Sequence, residues 1–139
     1  MLVFELIVKA LPENLDEVIG FVNEQLEEVG CAIKVEFAID VAVEEIFVNI
    51  ANYAYKETVG NAAIIVEFTD SPLTAIITFV DKGVPFDPLA KEDPDITLAV
   101  DDRKIGGLGI FMVKKSMDSV SYEYVDGENR LTLKKSLAV

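Results

Sequence analysis

The chain has 139 residues, 51% of them hydrophobic, with 25 acidic side chains against 12 basic ones, no histidine and one cysteine. That is room for one domain with a real core, and it is too apolar for a disordered chain. A net charge of −13 argues against direct nucleic-acid binding, and the lack of His beside a single Cys31 removes a zinc site and an internal disulfide.

Leu2 to Ala10 partly alternates and is rich in Val, Ile, Leu and Phe, a pattern that predicts a strand. The N-terminus has no basic leader or small-residue cleavage pattern, so no signal peptide is expected. No apolar run approaches the ~20 residues that cross a bilayer. A cytoplasmic protein with no membrane partner is therefore expected, and Cys31 reads as a small buried apolar side chain.

Pro12 opens a helix, with Glu13, Asp16 and Glu17 near its positive end. Leu15, Val18, Ile19, Val22, Leu26 and Val29 recur at helical spacing, and Gly30 is placed for a left-handed cap. A second helix is predicted from about Ile33 to about Glu57. Its inner stripe is Val35, Ile39, Ala42, Ile46, Ile50 and Tyr53, widened by Val43, Phe47 and Ala54.

Ala62 to Thr69 and Leu73 to Val80 read as strands around an Asp70-Ser71-Pro72 turn, an antiparallel hairpin. From Lys82 to Ile105 the pattern dissolves into a long acidic, proline-containing stretch, with a short helix near Pro88 to Lys91. Such a stretch in a compact domain is a binding loop or lid, or is disordered. Ile110 to Met117 reads as a short helix, Asp118 to Val125 as a strand, Asp126 to Asn129 as a turn and Arg130 to Lys135 as the last strand. With no repeat or linker, residues 1–139 are expected to form one domain. The order predicts an α+β two-layer sandwich, with helices on one face of a mixed, mostly antiparallel sheet.

Three stretches carry candidate chemistry. Glu45 and Asn49 lie one turn apart on the second helix, hence on one face. They are a solvated polar face, or a general base beside a neutral magnesium ligand. Asp81, at a strand end before Gly83, is an ordinary turn residue, or an acceptor for the exocyclic amine that distinguishes adenine from guanine. Gly83 would let backbone approach a flat ring. Gly106, Gly107 and Gly109 precede a helix, as a hinge or as a backbone cradle for phosphate. Their spacing is neither the Walker nor the dinucleotide pattern.

Together, Glu45-x-x-x-Asn49, Asp81-x-Gly83 and Gly107-x-Gly109 resemble the N box and two glycine boxes of the nucleotide-binding fold shared by gyrase, heat-shock chaperones, histidine kinases and mismatch-repair ATPases. The resemblance is closest to the small bacterial anti-sigma factor serine/threonine kinases. It covers nearly the whole chain and includes Asp81-x-Gly83-x-Pro85-Phe86-Asp87-Pro88 and Gly106-Gly107-Leu108-Gly109-Ile110. It implies a Bergerat-type ATP-binding fold that binds ATP and Mg2+, sequesters a sigma factor, phosphorylates a serine or threonine of an anti-anti-sigma partner of the STAS type, and works as a homodimer. Glu45 would be the base and Asn49 the metal ligand. Asp81, Gly83, Gly106, Gly107, Gly109 and Thr132 would surround the nucleotide, with Thr132 near adenine. Tyr53 stands where many relatives have a histidine. The alternative is a nucleotide-gated protein-binding module without kinase activity.

Overall fold

A computed structural model describes residues 2–90 and 108–138. The elements are β1 (Val3–Lys9), a 3-10 turn (Pro12–Asn14), α1 (Leu15–Glu28), α2 (Ile33–Tyr53), β2 (Asn61–Thr69), β3 (Thr74–Asp81), a second 3-10 turn (Pro88–Ala90), α3 (Leu108–Ser116), β4 (Ser119–Val125) and β5 (Glu128–Ser136). The sheet runs β1-β2-β3-β5-β4, and every neighbouring pair is antiparallel. The expected mixed sheet is thus wholly antiparallel among the described residues. β3 and β4 run in the same direction, but β5 lies between them, so no parallel neighbours arise.

Strand alternation sorts the sheet into two faces. Val8, Ile64, Val66, Ile77, Phe79, Leu131 and Leu133 point to the helical layer and join Val18, Val22 and Leu26 of α1 and Ile39, Val43 and Phe47 of α2 in one core. Each fully buried side chain of this size contributes about 1.5–3 kcal/mol relative to exposure. At the end of α1, Gly30 adopts φ +76°, and the Cys31 amide donates to the Leu26 carbonyl at 3.1 Å. This is the left-handed cap that the sequence predicts.

α2 stops at Tyr53, a turn earlier than expected. Hydrogen bonds at Ala54 and Tyr55 account for the stop. The Ala54 carbonyl accepts the Val84 amide at 2.9 Å, and the Tyr55 hydroxyl donates to the Asn61 carbonyl at 2.6 Å while accepting the Lys82 amide at 2.9 Å. These bonds turn the chain toward β2 and tie the segment after β3 to the end of α2. The last hairpin also differs from expectation. Its turn is only Asp126-Gly127, with φ +55° and +78°, and Glu128 and Asn129 already belong to β5. Positive φ at both central residues matches the twist of the flanking strands.

Candidate functional site

Between α2 and the sheet lies a cavity of about 470 Å3, counting the part open to solvent. Ile46 and Ile50 of α2 face Phe79 and Leu131 of the sheet across it, and Tyr53, Phe86 and Tyr122 supply aromatic walls. Three polar side chains reach this apolar space: Asn49 from α2, Asp81 from the end of β3 and Asn129 from the start of β5.

Asp81 and Asn129 are directly paired in register and are each only 6% exposed. Asn129 Nδ2 donates to Asp81 Oδ1 at 2.9 Å and to the Val84 carbonyl at 2.9 Å, while Asn129 Oδ1 accepts the Phe86 amide at 3.2 Å and the Tyr122 hydroxyl. A backbone N–H can only donate and a carbonyl can only accept, so these partners fix which way the amide faces. Burial, followed in weight by the Asp87 and Asp81 charges among the raising effects, lifts the Tyr122 hydroxyl above the ordinary phenol range and keeps it a donor. The Gly83 amide adds a second donor to Asp81 Oδ1 at 2.9 Å. Among the described residues, Asp81 Oδ2 is left as the oxygen open to a donor from the cavity.

Gly83 makes a close approach of a different kind from the one expected. A Cβ there would collide with the Ala54 carbonyl, so the glycine serves contact with the end of α2, and it is not among the residues lining the cavity. Gly109, in the first turn of α3, packs against the Glu45 carboxylate just as tightly. Gly106 and Gly107, with most of the expected lid, lie outside the described residues.

Glu45 and Asn49 share one face of α2, as expected, and Asn49 Nδ2 donates to Glu45 Oε1 at 3.4 Å. That bond leaves Asn49 Oδ1 as a neutral acceptor at the cavity. Among the described residues, no group of three or more His, Cys, Asp or Glu side chains could hold a metal. A cation at Asn49 would therefore take its other ligands from phosphate and water, which is the habit of magnesium.

Thr132 is not at the cavity. Its neighbours Leu131 and Leu133 point to the core, so alternation turns Thr132 to the opposite face, where its hydroxyl lies 3.4 Å from that of Thr78. Asn129, three residues earlier, holds the place expected of it. The signal for Asn129 was the Asp126-Gly127 dipeptide. Taken as a two-residue hairpin turn, it puts Asn129 inside β5, opposite Tyr124 of β4, and the separate β3–β5 pairing then sets it against Asp81. Tyr53 is 63% exposed and lines the cavity, where an inner-stripe position was expected.

An antiparallel sheet with helices on one face, and a cavity between them presenting a carboxylate within apolar walls, is the architecture on which the family assignment falls. A family model described as the histidine kinase-like ATPase domain matches residues 8–135. The chain is 31% identical to the serine-protein kinase RsbW of Bacillus cereus, over 79% of this chain and 74% of that protein. It is 29% identical to the serine/threonine-protein kinase BtrW of Bordetella bronchiseptica, over 72% and 70%. Its fold matches the crystal structure of the RsbU and RsbW domains of Rv1364c from Mycobacterium tuberculosis with a TM-score of 0.70 at 14% identity, covering 98% of this chain and 32% of that longer one. The chain belongs to the histidine kinase-like ATPase domain family and, within it, to the protein serine/threonine kinases.

Proposed function

We propose that the chain is a cytoplasmic, magnesium- and ATP-dependent anti-sigma regulatory kinase. It phosphorylates a serine or threonine of an anti-anti-sigma STAS-domain partner, holds a sigma factor, and works as a homodimer. The observation that carries this reading is the Glu45–Asn49 pair on α2, beside a cavity that presents a single free carboxylate oxygen of Asp81.

In this reading Asp81 Oδ2 accepts the 6-amino group of adenine. Guanine offers an oxygen there, and two acceptors repel. The apolar and aromatic walls exclude water around the ring. Magnesium, when bound, neutralises charge on the phosphates. Asn49 Oδ1 would hold it, while Nδ2 of the same amide steadies Glu45. Glu45 takes the proton from the acceptor hydroxyl as its oxygen bonds to the γ-phosphorus and the bond to the ADP oxygen breaks. Gly109 keeps α3 close behind that carboxylate. The sheet face turned away from the helices carries Val3, Ile7, Ile65 and Ile76 interleaved with Glu5 and Glu67, and its uncovered apolar side chains support the self-association in this reading.

The test is titration with ATP and magnesium, followed by transfer of labelled phosphate to STAS-domain proteins from the same genome. Binding with transfer is the expected result. Binding of nucleotide and partner with no transfer would make the chain a gated binding module, and no nucleotide binding would refute the site.

A further inference from the structure

Among the described residues, one side of α2 has no partner. At 3.6 residues per turn, Ile33, Phe37, Val41 and the half-buried Val48 fall within about a quarter turn of one another, with Glu44 among them, along roughly 22 Å of helix. Ile33 is 85% exposed and Phe37 68% exposed. A surface helix ordinarily turns its polar side outward. Here the core takes Ile39, Ala42, Val43, Ile46 and Phe47, and a second apolar stripe remains in water.

This stripe runs into a groove between α2 and α3, lined by Val41, Glu44, Glu45 and Val48 on one side and by Gly109 and Met112 on the other. Met112 is 53% exposed. Glu45 lines this groove, whereas Asn49, one turn on and hydrogen-bonded to it, lines the nucleotide cavity. The carboxylate therefore stands between the two spaces. Among the described residues, the groove is the open approach by which a hydroxyl reaches Glu45 while nucleotide fills the cavity. Among the described residues, the only charged side chains lining the groove are Glu44 and Glu45, so it repels an acidic visitor and favours a cationic one.

We infer that the α2–α3 groove, with the Ile33–Phe37–Val41 stripe leading into it, is the docking surface for the phospho-acceptor protein. The matching partner surface is a serine or threonine hydroxyl on an apolar patch, with a lysine or arginine placed to meet Glu44. The inference rests on the kinase reading above and deepens it.

The experiment uses the full chain and STAS-domain proteins from the same genome. Docking is read by titration calorimetry with a non-hydrolysable ATP analogue and magnesium, and chemistry by steady-state transfer. Phe37→Asp and Met112→Asp, both at exposed positions, should each weaken partner binding at least about tenfold and raise the acceptor KM to match, with ATP affinity unchanged. Val59→Asp, at an exposed site away from the groove, should leave partner affinity as it is. Wild-type partner affinity in both groove variants would overturn the inference. Loss of the dimer in Phe37→Asp with acceptor affinity intact would also overturn it and give the stripe to a second copy. Glu45→Gln separates this inference from the kinase reading, because it should keep docking and lose transfer. A wild-type chain that binds a STAS protein through Phe37 yet transfers nothing would remove the kinase reading and uphold the docking surface.

Discussion

Asn129 Nδ2 lies 2.9 Å from Asp81 Oδ1, across one buried register pair of β3 and β5. The amide is locked by its backbone partners, so it orients the carboxylate as well as neutralising part of its charge. Asn129→Asp keeps the shape and replaces the donor with an acceptor, which then faces both Asp81 and the Val84 carbonyl. A proton has to be taken up to relieve that contact. The variant should lose about 1–3 kcal/mol of stability near neutral pH and bind ATP at least about tenfold more weakly. Both losses should shrink on acidification. ATP titrations and melting curves across pH check this, and an ATP affinity equal to wild type would remove Asn129 from base recognition.

Glu45→Gln should lower transfer by about 10²- to 10⁴-fold, the usual range for a positioned base. Asn49 can still donate to the amide oxygen, so nucleotide affinity should hold. Single-turnover transfer with a separate ATP titration splits the two effects. Transfer at the wild-type rate would mean that Glu45 takes no proton.

The two described glycines of the site should respond differently to alanine. At Gly83 the added Cβ meets the Ala54 carbonyl, a backbone atom that cannot swing away. Gly83→Ala should cost about 1–3 kcal/mol of stability and disturb Asp81 with it. At Gly109 the Cβ meets the end of the Glu45 side chain, which can rotate. Gly109→Ala should melt close to wild type yet lose most of its transfer, because the carboxylate has moved. Equal melting losses in the two variants would contradict this contrast.

Away from the site, burial first, then a hydrogen bond with the Glu27 carboxyl, and then the Glu27 and Asp40 charges push Glu36 up from 4.5 to about 7. A raised carboxyl pKa means that the folded chain binds the proton more tightly than the unfolded chain. The contribution of Glu36 to stability therefore falls as pH rises from about 4.5 to about 7 and is level above that. Glu36→Gln cannot ionise and should flatten this slope, melting higher than wild type near pH 8 and alike near pH 4.5. Parallel melting-temperature profiles of the two proteins over that window would show that Glu36 does not carry the slope.

Most of the fold was legible in the sequence because hydrophobic period and turn chemistry agreed. The α1 stripe, the Gly30 cap and the β2–β3 hairpin all appear where spacing put them. The end of α2 was less legible, since helical spacing continues past Tyr53. What stops the helix is contact with Gly83, Val84 and Lys82, some 30 residues on. The Glu45–Asn49 pair could be read from its i, i+4 spacing. The Asp126-Gly127 turn could place Asn129 on β5 but not beside Asp81, because that pairing belongs to the long-range β3–β5 register, which no turn sets. A four-residue turn leaves Asn129 outside the strand, and Thr132 was the β5 residue that the family resemblance put near adenine.

Helices cover only one face of the sheet. Val3 and Ile7 on the other face remain exposed, next to Ile65 and Ile76. In the proposed dimer, folding and association become a single mass-action equilibrium. Dilution then acts as a denaturant. The melting temperature of such a dimer would climb with the logarithm of protein concentration.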